Sequence, residues 1–406
     1  MKKGLIIFSL ATLCVTSQAQ EGWTLRQCID YAIEHNIEIQ QTANEAEQNA
    51  IEVNTAKWAR LPNLSGSAGQ NWSWGRSQSP KDNTYSDVNS GSTQFGLNTN
   101  VPLFTGLQLP NQYALSKLNL KAAIEDLNKA KEDIAINVTS SYLQVLFNME
   151  LSKVAASQTE LSKEHCTRII RLAELGKASS AEVAEAKARV AQDEMSLVQA
   201  ENNYQLALLD LSQLLELPTP EGFTLAQPDT VVNFAPLTAP DDIYTEALSN
   251  KPGIRAAQFR LEGSEKSIRI AQSNYYPQLS FGASIGTNFY TLNGSAEHSF
   301  GSQLKNNLNK GIGFNLSVPL FNRLATRNRV RSARLQQTNL ALQLDNTKKV
   351  LYKEIQQAWY NAVAAESKFN SSMAAVTANE ESFRLMSEKF DNGKATFVEY
   401  NEAKLN

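Results

Sequence analysis

The chain has 406 residues, 42% hydrophobic and 19% charged, with a net charge of −3. That is enough apolar material for two or three ordinary cores, and the lack of basic excess argues against nucleic acid as a partner. After residue 19 no run of about 18 apolar residues occurs, so no transmembrane helix is expected and any membrane crossing must use strands.

Residues 1–19 carry Lys2 and Lys3, the apolar run Leu5 to Val15, and Ser17-Gln18-Ala19 with small residues at the −3 and −1 cleavage positions. This is the pattern of a secretory signal, with a mature chain starting near Gln20. Leu13, just before Cys14, is too large for a lipoprotein signal. The mature cysteines, Cys28 and Cys166, fall in separate helical segments with no metal-type spacing, which leaves both free thiols and a disulfide open.

From Trp23 to Arg60, the positions Ile39, Thr42, Ala46, Asn49, Val53 and Ala56 step by threes and fours, so a helix is expected up to Pro62. Leu64 to Trp74 then alternates Leu64, Gly66, Ala68, Gln70, Trp72 and Trp74 with Ser65, Ser67, Gly69, Asn71 and Ser73, which is strand patterning. The polar segment Gly75 to Ser92 reads as an exposed loop. A second strand sets Phe95, Leu97, Thr99 and Val101 against Gln94, Gly96, Asn98 and Asn100, and ends in Pro102-Leu103-Phe104.

Between about Gly106 and Leu175 only Pro110 interrupts a helical pattern. Some 65 residues at about 1.5 Å each make about 100 Å, too long for the inside of a compact domain. Gly176 breaks this helix, and Ser179 or Ser180 can cap the next. That next helix carries Val183, Val190, Leu197, Tyr204 and Leu211 at strict sevens, a coiled-coil repeat interrupted at Asp193. A Pro-rich linker follows, 218–240.

The second half repeats the first. Ile254, Ala257, Leu261, Ser264 and Ile268 restate the first helix, with Ile254 lying 215 residues after Ile39. Leu279, Phe281, Ala283, Ile285, Thr287 and Phe289 alternate with Ser280, Gly282, Ser284, Gly286 and Asn288. Ile312, Phe314, Leu316 and Val318 alternate with Gly311, Gly313, Asn315 and Ser317. Val318-Pro319-Leu320-Phe321 lies 217 residues after Val101-Pro102-Leu103-Phe104, and Gly393 lies 217 after Gly176. The expected organisation is therefore a signal peptide 1–19, a first repeat 20–217, the linker 218–240 and a second repeat 241–406. About 40 helical residues follow Gly176 but only 13 follow Gly393 (406 − 393), so the last helix is expected to lack about 30 residues or more.

Eleven-residue strands with one apolar face and one uncharged face of small polar residues match a tilted barrel strand whose second face lines a wet lumen. Four strands cannot close a barrel, since about eight are needed, and an open edge in lipid leaves backbone groups unpaired at several kcal/mol each. Several chains must share one barrel, and twelve strands from three chains is the simplest count. The expected fold class is mixed α and β: long coiled-coil α-helices plus four transmembrane strands per chain, forming a shared 12-stranded β-barrel in a homotrimer.

On the duplicated plan, the Pro-Leu-Phe turns after strands two and four, and the paired turns Glu174-Leu175-Gly176-Lys177-Ala178-Ser179 and Asp391-Asn392-Gly393-Lys394-Ala395-Thr396, the chain resembles the TolC-like outer membrane efflux family. The resemblance implies a passive trimeric duct in the outer membrane of a Gram-negative bacterium, with a long periplasmic portion built as an α-helical coiled-coil barrel. Through it an inner-membrane transporter and a periplasmic adaptor would expel small molecules or proteins. It assigns Leu175, Gly176, Lys177, Asn392, Gly393 and Lys394 to adaptor docking. It also places Glu399, Glu402 and the matching Glu182 at an acidic periplasmic entrance, where a ring would attract cations. Glu in a helix's first turn also offsets the macrodipole, so both roles stay open.

Trp58, Tyr275 and Tyr276 at one end of the strands, and Trp72, Trp74, Phe289 and Tyr290 at the other, fit two interfacial girdles about 25 Å apart against outer membrane lipid. Packing at helix–strand junctions is the other reading for Trp58 and Tyr275. His35, His165 and His298 are scattered, and no catalytic, phosphate-binding or metal motif occurs, so no enzyme, cofactor or metal site is expected. The alternative to a channel is a periplasmic or secreted coiled-coil adaptor or structural protein without a pore.

Overall fold

The computed structural model describes residues 22–78, 83–87, 89–219, 222–226, 234–293, 296 and 298–405. The expected signal peptide and residues 220–221 and 227–233 of the expected linker 218–240 lie outside the described residues. The chain divides into two compact units: Met1–Gln41, Lys129–Ala239 and Gln356–Asn406 form one, Thr42–Asn128 and Pro240–Ile355 the other. Each draws on both halves of the sequence.

The helix expected from Trp23 to Arg60 is two, α1 (Leu25–His35) and α2 (Ile37–Trp58). Asn36 makes the break, because its side chain does what a helical backbone could not. Its Oδ1 accepts from the Glu38 and Ile39 amides at 2.9 and 3.3 Å, capping α2, while its Nδ2 donates to the Leu214 carbonyl at 3.3 Å. A matching break separates α5 (Pro240–Asn250), which has Asp241 and Asp242 in its first turn, from α6 (Pro252–Ser273), where Pro252 opens the helix.

In the second unit four strands form one antiparallel sheet: β1 (Asn63–Ser73), β4 (Ser90–Phe104), β5 (Gln278–Leu292) and β6 (Asn309–Ser317), in that spatial order. The segment expected as a loop carries a short hairpin, β2 (Arg76–Gln78) and β3 (Tyr85–Asp87); residues 79–82 and 88 lie outside the description. Antiparallel partners share a face, so the register decides whether the four alternating patterns agree. They do. Leu64–Thr99–Ala283–Ile312, Val101–Phe281–Phe314 and Leu279–Leu316 run across one face, and Ser65–Asn98–Ser284–Gly311 and Asn63–Asn100–Gly282–Gly313 across the other. Lys310, opposite Ile285, is the one charge among these strands' apolar rows.

The helix α7 (Phe300–Asn306), absent from the sequence reading, packs on the far half of β5. Phe300 meets Phe289 with ring centroids 5.0 Å apart, and Gln303 exchanges two 3.0 Å hydrogen bonds with the Tyr290 backbone.

Helices α3 (Gln108–Glu174) and α8 (Ala325–Asp391) are each 67 residues, about 100 Å long. Each begins on two consecutive left-handed residues: Gly106 and Leu107 at φ 61° and 64°, Arg323 and Leu324 at 53° and 63°. The turns that end the strands thus share one backbone, although only the first uses glycine. In the first unit α3 packs on α4 (Ser180–Leu214), burying Val138, Val145 and Leu211. Here the extended residue Trp23 pairs in parallel with Leu225, and the Tyr142 hydroxyl donates to the Ala226 and Trp23 carbonyls at 2.7 and 3.2 Å. Cys28, fully buried beside this clasp, is a free thiol, as is Cys166, so no disulfide joins them.

Candidate functional site

Two places hold the residues singled out by sequence: the sheet and the helix turns. On the sheet the apolar face is bare in one chain, with Leu64 77%, Ile312 82% and Phe314 71% exposed. A soluble core face would cover such positions, and exposed apolar surface of this extent marks contact with lipid or another chain. The opposite face carries Ser, Asn and Gly with no charge, so it meets water without attracting ions strongly. Trp58 lies at the end of α2 with Lys57 4.9 Å over its ring; Tyr275 and Tyr276 precede β5, and Trp74 follows β1, all more than half exposed. Trp72, in β1, is also largely exposed. Phe289 and Tyr290 are partly covered, because α7 lies on them.

The two turns are built alike. Gly176, at φ 70°, donates its amide to the Ala173 carbonyl at 2.9 Å while Lys177 donates to Leu172 at 2.8 Å; Gly393, at φ 67°, repeats this with Phe390 at 3.0 Å and Lys394 with Lys389 at 2.8 Å. This pair of bonds satisfies the last carbonyls of α3 and α8 and needs a left-handed residue. A Cβ at either glycine would meet open space, so backbone conformation alone requires glycine. Leu175, Gly176, Lys177, Asn392, Gly393 and Lys394 are all exposed.

Beyond each turn a capping box starts the next helix. The Ser179 amide donates to Glu182 Oε2 at 2.6 Å and the Glu182 amide to Ser179 Oγ at 3.2 Å, opening α4. Thr396 and Glu399 do the same at 2.7 and 3.3 Å, opening α9 (Phe397–Leu405). Hydrogen bonds from the Ser179 backbone and hydroxyl hold the Glu182 carboxyl below the usual range, and those from Thr396 do so for Glu399. Glu402 is exposed one turn along α9, outside the box.

Sequence reasoning missed what ties these ends together. Arg168 of α3 lies 4.6 Å over the Phe390 ring, which stacks on Tyr400 at 4.7 Å. More than 200 residues separate Arg168 from Phe390, and no local spacing announces the contact. Asp193, legible only as a heptad interruption, is buried and accepts from Ser162 Oγ, from Gln158 Nε2 at 3.3 Å and from Arg189 Nε at 3.2 Å. Of the histidines, His35 stacks on Tyr31 with centroids 4.0 Å apart, and burial lowers the pKa of His165. Among the described residues no cluster of metal-ligating side chains occurs.

One four-stranded antiparallel sheet and two 67-residue helices ending in glycine turns are the features to be compared with known proteins. The family model of outer membrane efflux proteins matches residues 28–216 and 243–406, and the chain belongs to that family, one of efflux channels rather than enzymes. The Escherichia coli outer membrane protein TolC is 22% identical over 416 residues, covering 99% of this chain and 80% of TolC. Among solved structures, the Campylobacter jejuni CmeC outer membrane channel superposes with a TM-score of 0.80 at 19% identity, covering 93% of this chain and 79% of CmeC. The Vibrio cholerae outer membrane protein VceC gives 0.76 at 18%, covering 93% and 88%.

Proposed function

We propose that this protein, an outer membrane efflux channel by family, works as a homotrimer in which three sheets close one 12-stranded barrel in outer membrane lipid. The carrying observation is the register: all four strands turn their apolar positions to one face and their small uncharged positions to the other, while β1 and β6 stay unpaired at the edges. An edge left open in lipid costs several kcal/mol per unsatisfied backbone group, and joining β1 of one copy to β6 of the next removes every edge. The polar face then lines the lumen.

In this reading a periplasmic adaptor docks on the exposed turns at Leu175–Lys177 and Asn392–Lys394, and an inner-membrane transporter supplies the energy. Three copies of Glu399 and Glu402, with Glu182, ring the entrance. The low proton affinity of Glu182 and Glu399 supports the role, since both carboxylates stay charged in mildly acid solution. Residues 1–19 are the export signal of this reading. The test is single-channel conductance of the detergent-extracted protein in planar bilayers. A cation-selective conductance that loses selectivity in Glu399→Gln/Glu402→Gln supports duct and entrance together. Unchanged selectivity removes the entrance role, and a soluble monomer with no conductance removes the duct.

A further inference from the structure

The turn before α8 and the first turns of that helix carry Arg323, Arg327, Arg329, Arg331 and Arg334, and no Asp or Glu occurs between His298 and Leu344. All five arginines are exposed, and none of their side chains makes a hydrogen bond or ion pair among the described residues. The fold does not demand them: 217 residues earlier, at the matching start of α3, stand Gly106, Pro110, Gln112, Ala114 and Lys117. Arg323 even occupies the left-handed position that Gly106 fills in the first half, a conformation costing a side-chain-bearing residue about 1–2 kcal/mol.

Arg329 differs from the other four in its surroundings. It borders two adjoining cavities, of about 240 and 760 Å³. The smaller is lined by Asn274, Gln278, Ser317, Asn322 and Thr326, the larger by Gln108, Ser267, Asn274, Asn328, Ser332 and Gln336, and Arg329 is the one charged side chain in either lining. No carboxylate is present to neutralise it. A guanidinium with a free planar fork, among amide and hydroxyl groups that can donate, is a receptor for a carboxylate or phosphate group. Gln278 and Ser317 are a registered pair with the same parity as Ser280–Asn315 and Gly282–Gly313, so the smaller cavity opens on the polar face of the sheet.

We infer that Arg329 and the side chains around it form a binding site for the oxyanion group of a soluble small molecule, one site per chain, where the strands meet the helices. The site itself follows from the cavity and its lining; its position inside the duct rests on the trimeric reading above. An anionic cargo would pause there.

Phosphate binding to the detergent-solubilised protein, followed by 31P NMR line broadening, tests the site without needing a pore. Arg329→Gln should weaken binding about tenfold or more, as loss of a charge-assisted hydrogen bond implies. Arg334→Gln, outside both cavities, should change it less than about twofold at physiological ionic strength. Equal losses in both variants, or no loss in Arg329→Gln with unchanged thermal unfolding, overturn the site. In neutral-lipid bilayers, soluble phosphate should reduce the current of the wild-type channel and not of Arg329→Gln. Binding that persists in solution while the current ignores phosphate moves the site out of the duct and leaves the site standing. If phosphatidylglycerol vesicles compete for Arg329 and dissolved phosphate does not bind, the soluble-ligand assignment fails.

Discussion

Gly176 and Gly393 show how one backbone angle can decide a turn. Both sit near φ 70° with open space around them, so Gly→Ala changes little except conformational energy. A cost of about 1–2 kcal/mol is expected at the turn. Hydrogen exchange of the Lys177 and Lys394 amides should quicken accordingly while global unfolding is unmoved; unchanged exchange would mean that the turn is set by its neighbours instead. Glu182 and Glu399 give a pH dependence of definite sign. Their folded-state proton affinity is lowered by hydrogen bonds from Ser179 and Thr396, so the caps contribute fully above the ordinary Glu pKa and lose that contribution as pH falls through the lowered value. Hydrogen exchange in the first turns of α4 and α9, corrected for intrinsic rate, should show protection falling at acid pH in the wild type. Glu182→Gln and Glu399→Gln keep a capping side chain and should flatten that dependence. These glycines and glutamates were legible in the sequence because caps are local. Arg168 over Phe390 was not, because the contact joins distant segments.

Asn36 and Asp193 belong to the scale of whole elements. Asn36→Ala removes the α2 cap and strands the Leu214 carbonyl, so a loss of about 1–2 kcal/mol is expected by equilibrium unfolding. Asp193 breaks the heptad of α4 yet is buried against α3, where Gln158 and Ser162 hydrogen-bond its carboxylate together with Arg189 of its own helix. Asp193→Ala should cost about 1–3 kcal/mol by leaving Ser162 and Gln158 unpaired. Asp193→Leu restores the apolar repeat and is expected to come closer to neutral, because packing then offsets those lost bonds. If both variants lose equally, the carboxylate is the stabilising feature and not merely a register device. The sequence showed the break at Asp193 but not its partners, since a heptad reports which face is buried and not what stands opposite. It likewise ran α1 and α2 together: no Pro or Gly marks the break at Asn36, and only the carbonyl of Leu214 reveals what the amide does. The short helix α7 escaped altogether, being too brief for its period to show.

For the whole molecule the unpaired edges of β1 and β6 and the bare apolar face set the expectation. Cysteines placed along β1 and β6 should cross-link between copies and give a heat-modifiable trimer in detergent. Cross-links confined to one chain, or extraction without detergent as a monomer, would contradict the shared barrel. By itself the sequence determined the strands' two faces, the length of the long helices, the glycine turns and the doubled plan, because periods of two, seven and about 217 are properties of a chain read along its length. Only the tertiary structure decided the strand order, the register that aligns four weak patterns into one apolar and one polar face, and the cavities around Arg329. Those depend on which distant segments meet, and a sequence pattern fixes the face a residue turns outward without naming the residue it meets.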